Sequence, residues 1–200
     1  IDGKTYRMAD VSYPDAVKMM RAFVKKRRLP DPSLYVEVAN LDIKQMRSTF
    51  TELATLLLGD AKQAKSFMSK AKLHSMEELE DSWWNLYEKL LSTGRAVELS
   101  LKIELEDFLY HMQKLIHNKK LSTGENLTDD VSIDTAAFDD SQCIGDWCAH
   151  FNSTWKNHKL VGMDIGTDSL VLMVLSNEEF KIAQELAKEL LHRIDVAERS

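Results

Sequence analysis

Lys159–Leu175 reads KLVGMDIGTDSLVLMVL, two apolar stretches set around Gly166, Thr167, Asp168 and Ser169. In the first stretch Val161, Met163 and Ile165 alternate with Leu160, Gly162 and Asp164. The second, Leu170–Leu175, is apolar at every position. Strand side chains alternate between faces, so a strand with no polar position has both faces covered and belongs inside a sheet. A glycine between the two supplies the positive φ that a tight reversal needs. The pattern predicts a C-terminal β-hairpin. Ser176 and Glu179 then form a capping box for a last helix running through Phe180, Ala183, Ala187, Leu190 and Ile194.

Upstream segments supply the cladding and the other strands. Ala96–Lys102 sets Val97, Leu99 and Leu101 against Glu98, Ser100 and Lys102, the alternation of a strand buried on one face. A helix through Leu105, Phe108, Met112 and Ile116 follows, then a long mobile loop at about 118–138, rich in Asp, Ser and Thr. Ile144, Trp147, Cys148, Phe151 and Trp155 mark another helix. Nearer the start, Pro14 opens a helix through Val17, Met20, Phe23 and Val24, flanked by short strands at Lys4–Ala9 and Leu34–Ala39. Three helices come next: one capped by Asp42 and Gln45 and closed by Gly59, one capped by Asp60, and one between Ser75 and Gly94. The fold class is α+β: one sheet of about four to five strands clad by about seven helices, residues 1–200 forming one domain.

Composition narrows the function. Hydrophobic residues make up 44% and charged residues 29%, which suits a globular chain, and no apolar run is long enough to span a bilayer. No leader pattern occurs, and the two cysteines, Cys143 and Cys148, lie roughly 140° apart around a helix, too divergent for a disulfide. Two reduced, mostly buried thiols in a cytoplasmic protein are expected. Residues 1–75 carry 14 Lys+Arg against 8 Asp+Glu, while residues 76–200 carry 12 against 24. Such polarity steers a charged partner or lets two copies pack head to tail.

The candidate functional residues are few. Trp83 and Trp84 point about 100° apart on one helix, so one faces the core and the other is semi-exposed. An exposed Trp84 beside Tyr87 suits a protein contact, because both residue types concentrate at interaction centres. Lys25 and Lys26, in the run Lys25–Arg28, add a basic helix end. Without interleaved aromatics and in an acidic chain, that run disfavours nucleic acid. Asp164 interrupts an apolar strand. It either caps the turn or joins Asp168 in holding a divalent cation, and the capping role is preferred because two carboxylates are too few ligands. Cys143, Cys148, His150 and His158 match no zinc spacing. Neither a metal nor another cofactor is expected, and no nucleophile elbow, H-E-x-x-H or phosphate loop of the G-x-x-x-x-G-K type is present.

Two resemblances attach to the hairpin. Val161–Ser169 resembles the first phosphate loop of the actin and sugar-kinase superfamily, which implies Asp164 as a metal-side acid and Gly166 and Thr167 as a phosphate cradle. Only 31 residues follow Ser169, so the rest of such a site is missing, and a β-hairpin with side chains bonded to its turn is the preferred reading. Leu160–Leu175 followed by Glu178, Glu179 and Phe180 resembles uncharacterised bacterial domains of unknown function. That likeness covers the last fifth of the chain and transfers no site residue. By analogy with domains of this build, it implies a non-catalytic protein-interaction or regulatory module, the immunity type included, whose partner is another protein or a second copy. The alternative is a small hydrolase or metal-dependent enzyme using Asp164 and Asp168.

Overall fold

The apolar stretches around Gly166 form an antiparallel hairpin, and its strands occupy the middle of a four-stranded sheet. The computed structural model describes residues 6–8, 11–28, 31–37, 43–71, 73–123 and 131–198. In chain order come β1 (Tyr6–Arg7), α1 (Tyr13–Lys26), β2 (Val36–Glu37), α2 (Ile43–Leu58), α3 (Ala61–Met68), α4 (Met76–Ser92), β3 (Val97–Ser100) and α5 (Leu105–Thr123). There follow α6 (Ile144–Thr154), β4 (His158–Met163), β5 (Ser169–Ser176), α7 (Asn177–Glu189) and β6 (Ile194–Val196). The sheet runs β3–β5–β4–β6 with every pair antiparallel, and β1 pairs with β2 as a separate ribbon. Among the described residues, then, seven helices surround one open sheet, an α+β architecture.

Alternation along the two inner strands divides the interior into two cores. Val161, Met163, Val171, Met173 and Leu175 point to one side, where α2, α3, α4 and α7 cover them. Leu160, Leu172 and Val174 point to the other, against Phe108 and Met112 of α5 and Trp147 and Phe151 of α6. The all-apolar β5 is thus an inner strand clad on both faces, as its composition requires. Asn152 of α6, itself buried, ties that helix to the sheet. Its amide donates to the Leu160 and Ala197 carbonyls, and its carbonyl accepts the Leu160 N–H.

Helix ends follow the sequence signals closely. Asp60 accepts the Lys62 and Gln63 amides, Ser75 accepts that of Glu78, and Ser176 and Glu179 cap each other reciprocally. Gly94, at φ 66, stops α4 while Arg95 donates back to the Leu90 carbonyl. Asp42 lies outside the described residues, as do parts of the two N-terminal strands.

Four expectations are corrected. Residues 118–123 are not loop but the last turns of α5. They lack an apolar stripe because polar contacts fix them: Asn118 donates to the Gly94 carbonyl and Lys119 binds Glu179. Ile194 is not on the last helix. Leu191 turns left-handed at φ 61, His192 donates to the Ala187 carbonyl, and the reversed chain adds β6 beside β4. Leu101 lies beyond the end of β3 and is exposed. Cys143 is an exposed N-cap residue of α6, whereas Cys148 is buried, burial pushing its thiol up to about 12.

Candidate functional site

At the turn end of the β4–β5 hairpin lies a cleft of about 330 Å³, to which four segments contribute. The hairpin turn brings Asp164 and Gly166, α4 brings Glu80, Trp83 and Trp84, the α7–β6 link brings His192 and Arg193, and the N-terminal segment brings Met8 and Val11. Trp83 is the fixed centre. It is buried, its indole N–H donates to the Asp164 carbonyl at 2.8 Å, and its ring stacks on His192 with centroids 4.0 Å apart and planes 5° from parallel. The Glu80 carboxylate lies 3.9 Å from His192 Nε2. A second groove, of about 440 Å³, shares His192 and Arg193 and reaches Ser12, the N-cap of α1.

Asp164 sits just past the end of β4 and is exposed. Its Oδ1 accepts the Gly166 N–H at 2.9 Å, closing an Asx turn that Gly166 completes at φ 70. Its own amide donates to the Arg193 carbonyl at 3.0 Å, so its backbone joins the hairpin to the β6 segment. Asp168 is exposed on the same turn and does not line the cleft. Among the described residues no three His, Cys, Asp or Glu side chains gather as metal ligands would.

Trp84 is 41% exposed and meets Tyr87 edge to face at 5.1 Å. Tyr87 itself is buried, and its hydroxyl donates to the Glu98 carboxylate at 2.6 Å. Burial first, then the Glu98 hydrogen bond and charge, push the phenol up to about 12. The same bond, with one from Ser169, holds the Glu98 carboxyl below its ordinary value. Tyr87 therefore anchors α4 to β3 and packs its ring against Trp84. Lys25 and Lys26 are exposed in the last turn of α1.

The structure therefore brings Trp84 and Asp164 into one cleft, with Tyr87 beneath and the lysines on the helix rooted at the neighbouring groove. Glu80, His192 and Arg193 were not anticipated. They converge from segments more than a hundred residues apart, and no local spacing marks them. A family model described as Domain of unknown function (DUF6630) matches residues 41–197. The chain belongs to that family. The cleft is built largely from the DUF6630 region, while Met8, Val11 and the whole of α1 precede the matched residues. Comparison with curated proteins and with solved structures found no match in either.

Proposed function

We propose that this DUF6630 protein acts by binding another protein, without catalysis, through the Trp84 cleft together with α1. The observation that carries this reading is α1 itself. Fourteen residues form an amphipathic helix with none of them buried, and Tyr13, Met20, Phe23 and Val24 remain exposed, Val24 at 70%. A helix of this length is marginal on propensity alone and gains most of its stability from covering its apolar face. The four basic residues Lys25–Arg28 at its end favour an acidic rim around the partner's apolar patch. Trp84, backed by Tyr87, offers a rigid aromatic anchor beside it. A cytoplasmic regulatory module, the immunity type included, suits such a surface.

Photo-crosslinking amino acids placed at Phe23 and at Trp84 should capture one and the same protein in cells. Trp84→Ala should then speed its release at least about tenfold, the scale of a truncated aromatic hot spot. Release at the wild-type rate, or different captures from the two positions, would defeat the reading.

A further inference from the structure

A cleft of about 660 Å³ lies between α3 and the stripe of α4 that carries Asn85, Glu88, Lys89 and Ser92. It exists because both helices pack on α2 while splaying from each other. Its walls are two helical stripes, residues 62, 63, 66, 67 and 70 on one side and residues 85, 88, 89 and 92 on the other. Three cations line it: Lys62 in the first turn of α3, Lys70 just past the end of that helix, and Lys89 on α4 opposite. Glu88 is the acid among the lining residues. Phe67, half-buried against Phe50, offers an apolar surface between the lysines. Gln63 contributes a buried Oε1 that accepts no hydrogen bond, while its side chain bonds the helix-capping Asp60. A buried acceptor left unsatisfied is costly and marks a place for a donor.

We propose that this cleft binds a small organic anion with a flat apolar body: the anionic group at the lysines, the ring on Phe67, and a ligand N–H or O–H at Gln63 Oε1. The volume falls within the range of small-molecule pockets, and the arrangement of a few polar groups around an apolar floor is typical of them. The basic α1 is not a suitable occupant, since Lys25–Arg28 would meet Lys62, Lys70 and Lys89. The site shares no lining residue with the Trp84 cleft, so either proposal can fail without the other.

Four probes separate the contributions: adenosine 5′-monophosphate, benzyl phosphate, adenosine and inorganic phosphate, each titrated at low salt by calorimetry and by amide chemical-shift mapping. The monophosphate should bind with Kd below about 1 mM, benzyl phosphate more weakly, and adenosine and phosphate at least about tenfold more weakly than the monophosphate. Shifts should centre on residues 62–71 and 85–92. Lys62→Glu, at an exposed position, with Lys89→Glu, at a half-buried one, should weaken the monophosphate at least about tenfold with the cooperative melt retained. Lys181→Glu, on the exposed side of α7, should leave it unchanged. Gln63→Leu should bring the monophosphate down to the level of benzyl phosphate. The proposal is overturned if no anionic probe binds below about 10 mM, if adenosine binds as well as its monophosphate, or if the double lysine variant binds like wild type.

Discussion

Glu179 serves two elements with one carboxylate. Its carboxylate accepts the Ser176 amide at 2.7 Å and the Lys119 ammonium at 2.7 and 3.0 Å, so one residue closes the α7 capping box and ties α7 to α5. Lys119 is only 9% exposed there. Burial raises the Glu179 carboxyl, but the Lys119 bond, the Ser176 amide and the Lys119 charge together outweigh it and leave the pKa below 4.5. A depressed carboxylate pKa means that the unfolded chain binds more protons. This contribution to stability is therefore complete above pH 4.5 and is lost as pH falls through the folded value. Lys119→Met should cost about 2–3 kcal/mol near neutrality, since it strands a largely buried carboxylate. With Lys119 gone, only the Ser176 bonds oppose burial and the Glu179 pKa rises from its wild-type position, so the variant should recover relative to wild type as the medium is acidified. Denaturant unfolding at several pH values between about 7 and 4 measures this. A deficit that stays constant across the range shows that the pair is not the source.

Among the elements, β5, like β4, pairs on both edges and packs on both faces, and it is the longer of the two inner strands. Leu172 is wholly buried against α5 and α6. Leu172→Asp places a charge there without a partner and should abolish the cooperative thermal transition, whereas Leu172→Val should cost about 1 kcal/mol and keep it. Melting of the aspartate variant like wild type contradicts an inner position. This strand was legible because six consecutive apolar residues leave no solvent face to assign. The capping residues were legible too, since Ser75, Ser176 and Asp60 act within their own helix turn. β6 was not. Ile194 continues the helical spacing of Ala187 and Leu190, and the three residues of the strand are too few to show a period of two. The end of α5 was missed for the opposite reason: its anchors are Asn118 and Lys119, polar side chains whose partners lie 24 and 60 residues away. The cleft around Trp83 failed in the same manner. Local chemistry placed Asp164 at a turn, but nothing local could place His192 against an indole ring.

Over the whole molecule, charge is divided as the chain is. The surplus of positive charge in residues 1–75 includes the exposed end of α1, and residues 76–200 carry twice as many acids as bases. Long-range fields act on encounter and fade over a Debye length of about 10 Å at 0.1 M salt, while desolvated aromatic contacts act on residence. Two parts of one binding surface should then separate kinetically. Reversing Lys25 and Lys26 to glutamate should slow association with the captured partner by roughly tenfold at low salt and flatten its dependence on ionic strength, with little change in dissociation. Trp84→Ala should do the converse. Because neither lysine is buried and α1 contributes no residue to either core, the reversal should leave Tm unchanged, so a slower on-rate cannot be charged to unfolding. Stopped-flow association between about 20 and 300 mM salt is the measurement. If the lysine reversal instead changes only the rate of release, the basic end is part of the packed contact rather than a steering charge. If it changes neither rate, α1 does not meet the partner, and the contact lies in the cleft alone.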